Sequence, residues 1–296
     1  MKTIAILSGK GGVGKSSLTA SLAVLLSKKK KLIAADCDVD APNLALVLGV
    51  EKFEEKENIK TSEKAKVISK TCPECKEHVD VCMFGAILWD EKNKNPVINK
   101  FLCEGCGACM LAFPKGTVKL EKVENASINS AKTSYGFPII SGHLKMGESG
   151  SGKVVTAVKQ KAEDLAEKEK ADVLLVDSSP GIGCPVVASI QGSDYIISIT
   201  EPTPSALNDL QRVLKVAEHF NVPYGLVINK WDINKDFTKK VEEFAQENNI
   251  QVLGKLPHDR AFVDALVNLK PIVEQKPAYK KIFQEILDHI SILENR

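Results

Sequence analysis

The feature that most constrains this 296-residue chain lies near its start. Gly9-Lys10-Gly11-Gly12-Val13-Gly14-Lys15-Ser16 has the form G-x-x-x-x-G-K-[ST] and follows a short apolar run at residues 3–7. Such a run reads as a buried strand. Downstream, Leu18, Leu22, Leu25 and Leu26 recur at helical spacing, so a helix is expected to begin near Lys15. Lys28–Lys31 is expected to close that helix, where positive charge suits the dipole. Strand, glycine-rich loop and helix in that order form a phosphate cradle. The glycines let successive backbone N–H groups face the phosphates, and the helix N-terminus adds the positive end of its dipole. The expected nucleotide-binding set is Gly9, Lys10, Gly11, Gly12, Val13, Gly14, Lys15, Ser16 and Ser17, with Lys15 on the β- and γ-phosphates and the Ser16 hydroxyl on Mg²⁺.

Further short apolar runs follow at Leu32–Ala35, Val173–Val176, Tyr195–Ile199, Tyr224–Ile228 and Gln251–Leu256. Helical patterns at Val154–Lys170, Ala206–Phe220 and Phe237–Asn248 separate the later ones. Strands alternating with helices predict an α/β fold, a mostly parallel sheet covered by helices on both faces. Residues 61–121 break the rhythm and read as a small inserted domain, so the α/β domain comprises residues 1–60 and 122–296. Ala86–Trp89, Val97–Asn99 and Thr117–Leu120 are its strand candidates. The charged stretch Glu51–Lys60 is expected to be its entry linker, and the Gly/Ser-rich residues 125–153 an exposed return connection. Ile282, Phe283, Ile286, Leu287, Ile290 and Leu293 predict a final amphipathic helix, with Lys280, Lys281, Glu285, Asp288 and Glu294 on its polar face.

Composition excludes several classes. The formal charge is only +2, from 40 basic and 38 acidic residues, and aromatics make up 5% of the chain. A nucleic-acid partner is therefore not expected. No apolar run approaches the ~20 residues of a membrane-spanning helix, so no membrane association is expected. The apolar stretch Ile4–Leu7 is too short for a signal-peptide core, which predicts a cytoplasmic protein with reduced thiols. Six of the eight cysteines fall between Cys72 and Cys109, and a reduced cluster that dense reads as a metal site. Cys37 and Cys184, outside it, are expected to be small buried residues.

A second loop, Gly147-Glu148-Ser149-Gly150-Ser151-Gly152-Lys153, also fits G-x-x-x-x-G-K. Val154 follows it and brings no hydroxyl for Mg²⁺, Glu148 repels phosphate, and no clear buried strand leads in. It is expected to cap the next helix.

The second lysine inside the first loop, Lys10, makes the segment resemble the deviant Walker A motif of the MinD/ParA/Mrp ATPases. Asp36-Cys37-Asp38-Val39-Asp40-Ala41-Pro42-Asn43 resembles that family's switch I, and Val173 to Gly181 its Walker B strand and switch II. Asn229-Lys230-Trp231-Asp232 and Pro257-His258-Asp259 resemble its base-side motifs. The resemblance implies a MinD-like P-loop fold and an Mg²⁺-dependent ATPase with Lys15, Asp38 and Lys10 as catalytic residues. In it Asp38 orients the attacking water, Asp177 holds the Mg²⁺ shell with Ser16, and Asn229, Pro257 and Asp259 attend the base. It also implies a homodimer, or a dimer with a related subunit, in which Lys10 touches the partner's nucleotide.

The insert carries two cysteine runs. Cys103-x2-Cys106-x2-Cys109-x3-Phe113-Pro114 resembles a bacterial ferredoxin run with Phe in the fourth place, and Cys72-x2-Cys75-x2-His78-x3-Cys82 resembles one with His in the third. In two-cluster ferredoxins the fourth cysteine of each run ligates the other run's cluster. The resemblance thus implies a ferredoxin-like α+β insert with one [4Fe–4S] cluster on Cys82, Cys103, Cys106 and Cys109. Zinc on the same thiolates is the alternative. Cys72, Cys75 and His78, with Phe113 opposite, form an incomplete second set: an empty or structural pocket, or a labile metal site. The expected function is an ATPase whose nucleotide state is coupled to the cluster, for electron transfer or for cluster assembly and delivery to a redox or iron–sulfur client. The rival is a non-enzymatic, ATP-dependent switch that dimerises and docks a partner.

Overall fold

The computed structural model describes residues 1–293; Glu294, assigned above to the polar face of the last helix, lies outside the described residues. Among the described residues thirteen strands occur: β1 (Lys2–Leu7), β2 (Leu32–Cys37), β3 (Glu55–Ile59), β4 (Ser62–Val67), β5 (Ile87–Asp90), β6 (Asn95–Ile98), β7 (Val118–Val123), β8 (Ala126–Lys132), β9 (Pro138–Leu144), β10 (Val173–Ser178), β11 (Tyr195–Thr200), β12 (Tyr224–Asn229) and β13 (Gln251–Leu256). The chain divides into two compact units: Met1–Glu57, Ile128–His143 and Ser151–Arg296 form one, and Asn58–Ser127 with Leu144–Gly150 the other.

The first unit is built on a nine-stranded sheet of order β13-β12-β11-β1-β10-β2-β9-β8-β3. Every pairing from β13 across to β9 is parallel. β1, β2, β10 and β11 are buried nearly throughout, as near-continuous apolar runs in a two-face-covered parallel sheet should be. Ile4, Ile6, Leu32, Ala34, Leu175 and Ile197 share one core with the helix Lys15–Leu26. The helix Ser151–Glu169 packs on β2 and β10, and the helix Pro204–His219 on β11. Thr203 caps the latter, its Oγ1 accepting from the Ala206 N–H at 3.3 Å.

Strand and helix ends fall within a few residues of the sequence reading, but three segments differ. Glu55–Ile59, read as linker, is a strand at the sheet margin, where its charged side chains suit an edge. Residues 125–153, read as an exposed connection, contain β8 and β9, and β9 lies beside β2 with Ile139, Ile140 and Ser141 buried. The buried polar residues Ser127, Asn129 and Ser141, with Gly142, interrupt the apolar pattern there. Lys28–Lys31 follow the helix rather than close it, since Lys15–Leu26 ends at its cap, Ser27.

The second unit has two antiparallel pairs, β4 with β7 and β5 with β6. It also carries a 3₁₀ segment, Pro73–Val81, and a short helix, Ala108–Ala112. Its small core gathers Ala65, Ala86, Ile87, Phe113 and Val118 around Cys72, Cys75, Cys103 and Cys109.

The helix Tyr279–Asp288 packs on β13 and on the helix Lys15–Leu26, with Phe283 the largest fully buried side chain in the chain's core. Phe283→Ala should cost about 3–5 kcal/mol of stability, the range for a buried Phe truncation. Urea unfolding followed by circular dichroism measures it. A loss under about 1 kcal/mol would mean that this contact carries no packing load.

Candidate functional site

The phosphate loop joins the end of β1 to the helix Lys15–Leu26 at the C-terminal edge of the parallel strands. Two of its glycines are required by close approach. A Cβ on Gly9 would fall 2.4 Å from the Asp209 backbone, and one on Gly14, where φ is +97°, 2.5 Å from Asn229 Nδ2. Gly11, Gly12, Gly14, Lys15, Ser16, Ser17 and Asp38 line a pocket of about 510 Å³, a volume suited to a small-molecule ligand. Leu46, Val47, Leu266 and Leu269 supply its apolar side.

Parallel register sets Asp177 of β10 beside Asp36 of β2, both fully buried. The Asp177 carboxylate accepts from Ser16 Oγ at 2.6 Å and from Thr19 Oγ1 at 2.7 Å. The Lys15 ammonium stands 3.1 Å from Asp177 and 3.7 Å from Asp38. Burial pulls the Lys15 amine down, but Asp177, Asp38 and Asp36 outweigh it and raise it. Burial likewise pushes Asp38 up, against the pull of Lys15, and burial with Asp177 raises Asp36. Asp36 accepts the Leu44 N–H at 3.0 Å and the Asp38 N–H at 3.2 Å, which shapes the turn carrying Asp38. Lys15 Nζ is buried and makes no aligned hydrogen bond. An ammonium held charged by its ion pair with Asp177, with donor capacity left over, suits a phosphate, so the residues present fit a nucleotide's phosphate chain. Ser16 Oγ and Asp177, already in contact, fit its Mg²⁺.

Thr19 and Glu201 were missed by motif reading, and Asp36, read within the switch I motif, was given no role there. Thr19 lies one turn after Lys15, the i+4 spacing that aims both side chains the same way. Glu201 pairs with Lys230 at 2.9 Å and Lys10 at 3.5 Å.

The residues expected to attend the base make contacts of their own. Asn229 is buried and its amide donates to Val13 O at 2.7 Å, while its Oδ1 accepts the Lys230 N–H, so it braces the phosphate loop. Pro257 and Asp259 do not line the pocket. Asp259 accepts from Lys276 at 2.6 Å, from the Ala261 N–H at 2.8 Å and from the Tyr279 hydroxyl at 2.8 Å, which hold its carboxyl down to about 2. The loop Gly147–Lys153 is entered from β9, a buried strand, contrary to expectation. The next helix begins at Ser151, within the motif, and Glu148 pairs with buried Lys64 at 3.0 Å.

In the second unit, Cys82, Cys103, Cys106 and Cys109 line one pocket with Phe84, Ala86 and Ile87. The Ala65 N–H donates to Cys103 Sγ and the Ala86 N–H to Cys82 Sγ, each at 3.3 Å. Burial raises the Cys109 thiol, and Cys103, Cys106 and Cys82 reinforce this, so the four sulfurs act on one another. Among the described residues, no three His, Cys, Asp or Glu side chains converge tightly enough for a single metal ion.

The other set differs from expectation. Cys72 and Cys75 are joined as a disulfide, so neither is free as a thiolate ligand in this state. His78 is exposed and its ring lies 6.5 Å from that of buried Phe113. Cys37 is buried, but Cys184 is exposed, because it opens the helix Cys184–Ile190. Among the described residues no helix is long and apolar enough to cross a membrane.

Sheet order, loop and carboxylates define a P-loop nucleotide-binding protein. The family model described as "CobQ/CobB/MinD/ParA nucleotide binding domain" matches residues 4–272, and the chain belongs to that family of nucleotide-binding ATPases. An uncharacterized protein of Methanocaldococcus jannaschii is 42% identical over 78% of this chain and 79% of its own length. An iron-sulfur cluster carrier protein of the same organism is 26% identical over 97% of this chain and 84% of its own. The fold is similar to that of the septum site-determining protein MinD of Pyrococcus horikoshii, solved with Mg-ADP. That likeness has TM-score 0.57 and 20% identity, covering 98% of this chain and 97% of the other.

If Asn229 braces the loop, Asn229→Ala should weaken nucleotide binding about 3- to 10-fold, the worth of one hydrogen bond. Inorganic triphosphate, which has no base, should weaken equally. Calorimetry that finds ATP weakened and triphosphate unchanged would return Asn229 to a base-recognition role.

Proposed function

We propose that the chain is an Mg²⁺-dependent ATPase whose nucleotide state is coupled to an iron–sulfur cluster carried in a ferredoxin-like insertion at residues 61–121. The observation that carries the reading is the meeting of Cys82 with Cys103, Cys106 and Cys109 around one pocket, in a chain whose other unit is a P-loop ATPase. Phosphoryl transfer asks mainly for positioning and charge. Lys15 and Ser16 meet the phosphates and Mg²⁺, Asp177 orients the Mg²⁺ shell, and Asp38, kept beside Lys15, orients water. Lys10 is half exposed and only loosely paired to Glu201, so it is free to reach a second subunit's nucleotide in a homodimer or a dimer with a related subunit.

Four thiolates hold a [4Fe–4S] cluster, which supplies one-electron chemistry or serves as cargo. The fit rests on the donor set. The four sulfurs border a common space, two of them accept backbone N–H bonds, and apart from Glu104 the remaining lining is apolar or glycine. As it stands the space holds only about 20 Å³, so seating a cluster requires the 104–107 turn to open. Cys106, exposed on that turn between positive-φ Gly105 and Gly107, is the ligand best placed to move. Of the relatives described above, the iron-sulfur cluster carrier favours assembly or delivery to an iron–sulfur or redox client.

Two measurements test the halves separately. Lys15→Ala should lower Mg²⁺-dependent ATP turnover at least 100-fold, because it removes charge stabilisation worth roughly 3 kcal/mol at the transferring phosphoryl group. Unchanged turnover would sink the ATPase. Protein purified anaerobically should carry about four irons per chain. Cys106→Ser should lose most of that iron and the brown colour, whereas Cys72→Ser should keep both. About eight irons in the wild type, or half the iron lost in Cys72→Ser, would reverse the ligand assignment.

A further inference from the structure

The incomplete half of the cysteine-rich unit is not simply an empty copy of the other half. Its two sulfurs are bonded to each other, and the residues around them are arranged for more than packing. Cys75 is completely buried, while Cys72 keeps 7% exposure at the head of the 3₁₀ segment Pro73–Val81. The backbone turn that brings them together closes independently of the sulfurs, with the Cys75 N–H donating to Cys72 O at 2.9 Å. The Thr117 hydroxyl lies 3.7 Å from Cys72 Sγ and 4.0 Å from Cys75 Sγ. Phe113 fills the same core in place of a further thiolate.

Fold stability does not account for this bond. A cross-link stabilises chiefly by shortening the freedom of the unfolded chain, and that gain grows with the loop it closes. Here the loop spans a sequence separation of three. It ties one turn to itself, within a turn already held by a backbone hydrogen bond. Metal binding does not account for it either, since the bonded sulfurs are not thiolates. What remains is the chemistry of the pair itself. Two cysteines so close reclose at small entropic cost after opening. They differ in access, and a hydroxyl stands beside both.

We propose that Cys72–Cys75 is a reversible dithiol–disulfide site that exchanges with an external dithiol. A thiolate of that dithiol attacks Cys72 Sγ, which belongs to the less deeply buried residue of the pair. The Cys72–Cys75 bond breaks, and Cys75 Sγ leaves as a thiolate that takes up a proton. The Thr117 hydroxyl, which donates to Cys72 Sγ at 3.7 Å in the closed form, lies 4.0 Å from Cys75 Sγ and turns its proton to that sulfur as it leaves. The second thiol of the reagent then attacks its own sulfur in the mixed disulfide, and Cys72 departs as a thiol. Two electrons and two protons pass to the pair, and the reagent leaves as a cyclic disulfide. The reverse sequence, with an external disulfide as oxidant, recloses the bond. This chemistry does not depend on what Cys82, Cys103, Cys106 and Cys109 hold.

The test uses the full-length chain, held anaerobically in graded ratios of reduced to oxidised dithiothreitol. The reaction is quenched in acid, free thiols are alkylated, and the peptide containing residues 72–75 is weighed. A tenfold change in reagent ratio should change the open-to-closed ratio tenfold, as a two-electron couple requires. Cys75→Ser should trap glutathione on Cys72 when treated with oxidised glutathione. Thr117→Val should slow opening severalfold while circular dichroism stays unchanged. Cys106→Ser should shift iron content but not this equilibrium, which separates failure of the thiol site from failure of the cluster. The proposal is overturned if the peptide is alkylated at every ratio. It is equally overturned if the bond opens only after the protein is unfolded, or if iron is lost from Cys72→Ser.

Discussion

The first unit depends on one buried cluster of charge. Asp177 is fully buried on a central strand, where an isolated carboxylate would be prohibitively costly. Three groups of one helix offset that cost: the Ser16 hydroxyl, the Thr19 hydroxyl and the Lys15 ammonium. All three sit on the first turn and a half of the helix that the glycine loop launches. The loop therefore does two jobs with one geometry. It aims backbone N–H groups into the pocket, and it delivers these side chains to β10. Neither the sheet register nor the helix position can change without stranding a buried charge, and removing one partner of such a set costs several kcal/mol.

The same arrangement explains why the pocket lies where it does. In open α/β sheets ligands bind outside the carboxyl ends of the strands, where neighbouring connections diverge. β1 sits between β10 and β11, and its loop opens at that edge. β2 adds Asp36 and Asp38 from the adjacent strand end, and Asn229 closes the far side from β12 by bonding to Val13 O. Residues far apart in sequence thus converge because parallel strands end together.

How much of this was legible in the sequence follows from the same physics. Strands buried on both faces, such as Lys2–Leu7 and Val173–Ser178, announce themselves as apolar runs because nothing polar is tolerated on either side. β8 and β9 did not, since Ser127, Asn129 and Ser141 are buried polar residues that dilute the pattern. β3, rich in Glu and Lys, looks like a linker because an edge strand needs few apolar contacts. The phosphate loop and its carboxylates were legible through fixed local spacing. The roles of Asn229 and Glu201 were not, because each acts through a partner that only the folded chain brings near. Asp259, a motif position, also bonds Lys276 and Tyr279, contacts that no local spacing signals.

The two cysteine runs show how few substitutions separate one chemistry from another. Both runs keep ferredoxin-like spacing, and Cys72, Cys75, Cys103 and Cys109 share one small core. Where Cys82, Cys103, Cys106 and Cys109 border a pocket, the set is complete and one member, Cys106, remains exposed. Where Phe113 and His78 stand in the remaining places, the ring of Phe113 is buried and His78 faces outward, so nothing draws the last two sulfurs apart. Two thiols three residues apart on one turn, in one small core with an aromatic ring, have each other as the nearest reactive group. Under the proposed ligand assignment, a half with two non-ligating positions is thus not inert. It holds a pair whose chemistry is set by its own oxidation state.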